Sequence, residues 1–487
     1  MDNEGDIPPT HTINLSLSPR DRYKHLATLY RPQLQSITSL FDSLVLQIFP
    51  ESYLPWIKSL ARFFLRGVKD HDESEEIRGI ADAAGVDVYL VVCLNVLLDL
   101  LMGCTSGGVL SSIPGEEEQG SGSEEKRMLH FRTLDWDMPA LRQLLVQLEF
   151  VDSASEHGNE VLATNITYVG FIGVLTGVRP GLSVSLNFRP NHDDSSWIKQ
   201  VKYYGRHLLV LLGFKRSISS VLRSVIIPSR LNPTSKSTSQ AWLSWFWLWT
   251  RRTKQEEPHT LSLATTVQRI TATPSTACYL ILSNGTETYV VEKDYKTTTV
   301  ESSTSFIVAT NNDRNTTIPQ SSDPSARQEH TGASLTAGER VDLAWFIKDS
   351  IERRACMQSH WDMKVARSRH VRRQSQESGV TLQARRDPLG RTSSSRRGDA
   401  VSSFSSASAA GTATSTAPTT VDTPTCSASD NEVTATLEEV ITWTTRYPTT
   451  NEMTHFATVM DPTKGTVAWI RRYPEPLECE WEVTDFD

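Results

Sequence analysis

Three observations predict an α+β fold. The first hundred residues carry apolar side chains at helical spacing, strand-length apolar runs with turn signals take over after Cys104, and helical spacing returns at 197–227 and 437–443. Residues 20–103 read as helical. Arg20 to Phe49 repeats apolar positions through Leu26, Leu29, Leu34, Ile37 and Leu40, and Asp72 to Gly85 is a short helix closing in glycine. Tyr89 to Met102 follows as a buried helix leading into Gly103-Cys104. Leu144–Asp152 and Val161–Val169 read as paired strands around a polar loop, and the glycine-rich stretch Gly170–Gly181 precedes another strand, Leu182–Phe188. Ala277–Leu282 and Thr286–Glu292 flank Ser283-Asn284-Gly285, a strong hairpin signal. Ser305–Thr310 is a strand ending at Asn311, and His455–Met460 with Val467–Arg472 forms a last hairpin around Pro462-Thr463-Lys464-Gly465.

Composition narrows the classes of function. The 487 residues carry a formal charge of −8 and a pI near 5.9, which argues against nucleic acid as the main partner. A hydrophobic content of 38% is low for a wholly globular chain, so part of it is expected to be disordered. The six cysteines stand at 93, 104, 278, 356, 426 and 479 without a CxxC pair, so no zinc site, redox motif or cofactor is expected. Residues 1–10 are acidic, with two prolines and no apolar core, so no secretory signal is read there. As written the chain is expected in the cytoplasm, or in a lysosome or vacuole if its true start lies elsewhere. The apolar run from Tyr89 to Met102 contains Asn95 and Asp99 and falls short of the ~20 residues that a bilayer span needs.

Three stretches stand outside the pattern of elements. Residues 115–126 are an acidic Gly/Ser insertion, and residues 228–258 form an insertion containing Trp242, Trp245, Phe246, Trp247 and Trp249. Residues 366–431 are a Ser/Thr/Ala/Arg-rich segment, basic in its first half, whose composition cannot bury enough apolar area to order itself. Four tryptophans and a phenylalanine in eight residues suit a water–lipid interface, giving a candidate peripheral membrane contact; a packed loop over the core is the alternative.

The chemistry centres on Gly103-Cys104-Thr105-Ser106. Alone, such a cysteine reads as a small buried hydrophobe. Cleavage before Cys104, however, would give one residue both a thiol and a free α-amine, a nucleophile carrying its own base. A thiol titrating near 8.5 and an α-amine near 7.7–8.0 are matched for sharing a proton. Downstream, Phe131-Arg132-Thr133-Leu134-Asp135 offers Arg132 to stabilise a thiolate or a polar head group and Asp135 to orient the amine. In isolation the two would be a strand-edge salt bridge. Asn311 is a candidate oxyanion donor, although by itself such a residue is more often a turn residue.

Together these residues resemble acid ceramidase and its relative, the N-acylethanolamine-hydrolysing acid amidase. Both are N-terminal-nucleophile hydrolases of the choloylglycine hydrolase group. The resemblance runs from Ile13-Asn14-Leu15-Ser16 through Glu76-Ile77-Arg78-Gly79 and Cys104-Thr105-Ser106 to Arg132-Thr133-Leu134-Asp135. It continues through Gly170-Phe171-Ile172-Gly173-Val174-Leu175-Thr176-Gly177, Thr310-Asn311-Asn312-Asp313 and Asp461-Pro462-Thr463-Lys464-Gly465. It implies an αββα sandwich, a small helical N-terminal subunit (1–103) and an amidase domain (104–487). It also implies self-cleavage before Cys104 and roles for Cys104, Arg132, Asp135, Asn311 and Arg353. Arg353, from Ser350-Ile351-Glu352-Arg353-Arg354, is the weakest carry-over, with a surface helix arginine as the alternative.

The sequence also departs from the family. Phe188 stands where an acidic residue is usual, Phe171 replaces a tyrosine, and no cysteine precedes Cys93 to form an inter-subunit disulfide. The expected activity is hydrolysis of the N-acyl amide of ceramide through a Cys104 thioester. The alternatives are an N-acylethanolamine amidase or a catalytically silent lipid-binding relative. The expected partner is a lipid amide.

Overall fold

The computed structural model describes residues 6–48, 50–97, 103–113, 125–136, 138–156, 158, 160–190, 195–227, 262–315, 343–384 and 433–477. They fall into two compact units, Met1–Trp361 with Thr434–Asp487, and Asp362–Val433. The insertion at 228–258 lies outside the described residues, as do 115–124 of the acidic insertion and 385–431 of the basic one.

The first unit is built on two sheets. The larger has eight strands in the order β1 (Thr10–Asn14), β4 (Leu145–Val151), β5 (Ala163–Tyr168), β6 (Thr176–Arg179), β7 (Leu182–Phe188), β8 (Ser275–Ser283), β9 (Thr288–Tyr295) and β10 (Thr297–Ser303). The smaller has five: β11 (Phe306–Ala309), β2 (Gly103–Ile113), β3 (Glu125–Asp135), β12 (Thr454–Asp461) and β13 (Thr466–Arg472). Only β1–β4 is a parallel pair among these strands.

Preceding β2 are the helices α1 (Lys24–Leu29), α2 (Arg31–Ile48), α3 (Leu54–Phe64), α4 (His71–Ala84) and α5 (Val88–Leu97), and a single turn, α6 (Pro139–Arg142), links β3 to β4. Asp70 caps α4 by accepting from the amides of Asp72 and Glu73, and Gly85 ends it at φ +70°. The helix expected to reach Met102 is described only to Leu97. Both predicted hairpins form, turning at Gly285 (φ +92°) and Gly465 (φ +74°).

The sheets face each other through a polar seam. His130 on β3 bonds Ser183 and Ser185 on β7 at 2.8 and 2.9 Å, and Ser106 on β2 bonds Asn187 at 2.8 Å. Close approach depends on glycine: a Cβ on Gly108 would sit 2.0 Å from Oγ1 of Thr288 across the gap. Alternation along β7 turns Leu182, Val184 and Leu186 the other way, into the main apolar core with Leu222 and Ile226 of helix α8 (Ile218–Ile226). Helices α7 (Trp197–Leu211) and α9 (Leu263–Ala272) also cover the larger sheet. On the outer face of the smaller sheet lie α11 (Leu437–Thr445) and the start of α10 (Leu343–Ala384), whose Trp361 stacks on Phe306 at 5.3 Å. The layer order is therefore αββα, as expected.

Two expectations need correction, and two elements were not foreseen. The single helix at 197–227 is two, because Gly213 adopts φ +71° and Ser217 caps a new helix by accepting from the amide of Ser220. β1 and α9 carried no distinct sequence signal. Helix α10 continues to Ala384, so it enters the segment expected to be linker from residue 366.

Candidate active site

Strand register assembles the site. In the β2–β3 pair Gly103 lies opposite Asp135, Cys104 opposite Leu134, and Ser106 opposite Arg132. Alternation then sends Cys104, Ser106 and Arg132 into the seam between the sheets, and Thr105 and Asp135 toward α10. β11 pairs with β2 up to Ala309–Ser106, which delivers Asn311 to the start of β2. The amide N–H of Cys104 donates to Oδ1 of Asn311 at 2.7 Å. All five expected residues meet here, with Cys104, Arg132, Asn311 and Arg353 0% exposed and Asp135 1%.

On the seam side, Nη2 of Arg132 donates to Sγ of Cys104 at 3.4 Å and to the carbonyl of Leu186 at 2.9 Å. Its Nη1 donates to Asn187 at 3.0 Å and Ser106 at 3.2 Å. Asn187 in turn donates to the carbonyls of Ala309 and Thr310, tying both sheets to the Asn311 turn.

On the helix side, Arg353 is fully buried rather than at the surface. It donates through Nε to Asp349 at 2.8 Å, through Nη1 to Thr105 at 3.0 Å and through Nη2 to Oδ1 of Asn311 at 3.1 Å. Nη1 also lies 3.3 Å from Oδ2 of Asp135. The other Asp135 oxygen, Oδ1, accepts from Thr454 at 2.7 Å. Buried Oδ2 accepts no hydrogen bond from the described residues, and it lies 3.7 Å from where a Cβ on Gly103 would stand.

Burial dominates the electrostatics. It raises the Cys104 thiol above its ordinary value, against the pull of the Arg132 and Arg353 guanidiniums. It also raises Asp135 to about 6, opposed by Arg353 and the Thr454 hydroxyl. Asn311 departs from expectation in one respect. It presents its oxygen to Cys104, while its Nδ2 donates to the carbonyl of Phe188 at 2.8 Å.

Comparison with known proteins finds partial similarity to lipid amidases. The family described as the beta subunit of N-acylethanolamine-hydrolyzing acid amidase matches residues 6–68, wholly before Cys104. Acid ceramidase of Mus musculus is 31% identical over 196 residues, 37% of this chain and 45% of that protein. N-acylethanolamine-hydrolyzing acid amidase of Caenorhabditis elegans is 28% identical over 242 residues, 46% of this chain and 58% of that protein. The chain is similar, over part of its length, to acid ceramidase and N-acylethanolamine-hydrolyzing acid amidase. It spans about half the length of these curated relatives. A solved Caenorhabditis elegans N-acylethanolamine-hydrolyzing acid amidase ortholog covers 74% of this chain and 93% of its own at 17% identity and a TM-score of 0.37.

Several contributors to the site had no separate signal in the motifs. Ser106, Asn187, Asp349, Ser350 and Thr454 all bond a residue of the expected set or its backbone. One signal was available: the alternation Ser183, Ser185, Asn187 along an otherwise apolar strand marks a polar face.

Proposed function

We propose that the chain is an N-terminal-nucleophile amidase that cuts itself before Cys104 and then hydrolyses the N-acyl bond of a lipid amide, ceramide by preference. The observation that carries this reading is the convergence on Cys104 of Arg132 at its sulfur, Asn311 at its nitrogen and an unbonded oxygen of Asp135 beside Gly103.

In self-cleavage the Cys104 sulfur attacks the Gly103 carbonyl, and the acyl group passes from nitrogen to sulfur. Water then hydrolyses the thioester, leaving a Gly103 carboxylate and a free Cys104 amine. In turnover that amine takes the thiol proton as the sulfur attacks the substrate carbonyl, and returns it to the departing amine. Water releases the fatty acid from the second thioester. Arg132 holds the thiolate, Asp135 and Asn311 hold the ammonium, and Arg353 keeps Asp135 ionised.

Ceramide is favoured by Gly177-Val178-Arg179-Pro180-Gly181-Leu182 and the turn Asp461–Gly465. The match of residues 6–68 to the N-acylethanolamine-hydrolyzing family supports the second reading, an ethanolamide substrate.

A lipid surface is the proposed source of substrate. The tryptophan run 242–249 lies outside the described residues. Among those described, α3 exposes Trp56, Leu60, Phe63 and Phe64, and α7 exposes Trp197, Val201, Tyr204 and Leu208. Gly213, just after α7, packs against the backbone of Gly67, just after α3. Exposed apolar helix faces carrying tryptophan suit membrane contact.

Intact mass after incubation across acid to neutral pH tests the self-cleavage, and parallel assays of N-acylsphingosine and N-acylethanolamine test the substrate. A fragment beginning at Cys104, absent in Cys104→Ala, is expected. An uncut chain that turns over neither amide defeats the reading, and turnover of the ethanolamide alone defeats the preference for ceramide.

A further inference from the structure

We infer that Thr454 is a positioning residue that pins one oxygen of Asp135 and so reserves the other for the nitrogen of Cys104. The inference rests on the amidase reading and adds a residue to it.

The geometry of the hydroxyl leaves it one job. Oγ1 of Thr454 accepts from the backbone N–H of Asn451 at 2.9 Å, so its single proton is directed to Oδ1 of Asp135 at 2.7 Å. The residue carrying that hydroxyl is itself fixed. Its N–H donates to the carbonyl of Asn451 at 3.0 Å, and its carbonyl accepts from Nη1 of Arg142 at 2.6 Å. It is fully buried, and it stands opposite Asp135 in the β12–β3 pair, at a register shift that separates Thr454 from Phe456. A carboxylate can rotate about its Cα–Cβ and Cβ–Cγ bonds; a donor of fixed direction on one oxygen removes that freedom. The consequence is that Oδ2, buried 3.3 Å from Nη1 of Arg353 and accepting no hydrogen bond from the described residues, is held beside Gly103. An amine formed at Cys104 would find this acceptor already aimed.

The same hydroxyl acts on acidity. Donation to Oδ1 favours the ionised carboxyl, against burial, which raises Asp135 to about 6. The other groups facing Asp135 are Arg353 and Asp349 from α10, Arg132 from its own strand, Cys104 from β2, Tyr168 from β5, and Tyr473 following β13. Of these, the arginines also favour ionisation and Asp349 opposes it.

The test compares pH profiles of kcat/KM for processed wild type, Thr454→Val and Thr454→Ser on N-dodecanoylsphingosine and N-dodecanoylethanolamine. Valine keeps the shape and removes the proton; serine keeps the proton. Loss of a hydrogen bond to a charged group moves a titration by about one to two pH units. The acid limb of Thr454→Val should therefore move up by about that much, with a loss of about 10–100-fold below it and little change at about pH 8. Thr454→Ser should follow the wild type. If Thr454→Val does not fold, Thr454→Cys, a weak donor of similar size, should show a smaller displacement in the same direction. An unmoved acid limb in whichever variant folds, beside an active wild type, overturns the role of Thr454 alone. A wild type inert on both amides overturns the amidase reading and this inference with it.

Discussion

Replacing Arg353 by methionine should expose how much of the site is held together by one charge. The guanidinium serves Asp349, Asp135, Thr105 and Asn311 at once, with no exposure to solvent. Methionine fills much of the same space but leaves two carboxylates facing each other without a cation. Breaking a buried pair in this way costs about 3–5 kcal/mol. The cost should depend on pH in a definite direction. Asp135 already titrates at about 6 with Arg353 in place, above its ordinary 3.8. Without that cation its value rises further, because burial is then opposed only by the Thr454 hydroxyl and Arg132. A carboxyl whose folded value lies above its unfolded one stabilises the fold below the unfolded value and loses that contribution as pH rises through the folded one. Each unit of that rise amounts to about 1.4 kcal/mol, so the gap between wild type and Arg353→Met should be wider at pH 8 than at pH 4.5 by about that much per unit. Urea unfolding at both pH values, in a Cys104→Ala background to keep the chain intact, measures it. A gap of equal size at the two pH values would refute the reasoning, because it would mean that Asp135 does not depend on Arg353.

Three other outcomes are expected. Burial holds His130 and His455 neutral down to about 3, whereas unfolded they take up protons near 6.5. Each therefore lowers stability by about 1.4 kcal/mol per pH unit of acidification between those values, and His130→Gln should flatten the slope of unfolding free energy between about pH 4 and 6 by that amount; slopes parallel to wild type would contradict this. Asn95 clamps the glycine-rich loop, donating to the carbonyl of Gly170 and accepting from the amide of Ile172, both at 2.8 Å. Asn95→Leu should cost about 2–3 kcal/mol in urea unfolding, since it strands two buried backbone groups. Trp56→Glu combined with Trp197→Glu should lower co-sedimentation with phospholipid vesicles at least several-fold while leaving self-cleavage intact, and undiminished binding would remove these helices from the proposed membrane face.

The sequence carried the local half of this architecture. Strands β4, β5, β7, β8, β9, β12 and β13 announced themselves by apolar runs and glycine turns, as did helix α4 by its cap and closing glycine. What it did not carry is whatever depends on partners distant in the chain. β1 is a five-residue edge strand whose pairing with β4 spans more than a hundred residues, and nothing local distinguishes it from a loop. The same holds within the site. Cys104, Arg132, Asp135 and Asn311 stood out because their motifs are chemically distinctive. Thr454 and Asn187 look like ordinary strand polar residues until register places them against Asp135 and Arg132. Arg353 shows the converse: a helix arginine that looks superficial in sequence is buried because Asp349, one turn earlier, and Asp135 together compensate it.

Hydrogen-bond accounting at Gly103-Cys104 gives the intact chain a direction of travel. The amide nitrogen of Cys104 has one proton, and Asn311 takes it. Asp135 has about four lone-pair sites, yet among the described residues only Oδ1 receives a hydrogen-bond donor. A buried acceptor left unsatisfied costs about 1–3 kcal/mol, and more when charged. Cutting the peptide bond turns that one-proton amide into an ammonium with three. One proton continues to serve Asn311, and another becomes available to the waiting oxygen of Asp135. On the amidase reading, therefore, the polar groups that look under-used in the uncut chain are those the processed amine would satisfy. The prediction is that the Cys104→Ala chain, unable to cut itself, should be less stable at neutral pH than a complex of its two pieces, 1–103 and 104–487, prepared separately so that the second begins with a free amine at position 104. Equal resistance of the two to urea would mean that the orphaned oxygen is not kept for the amine.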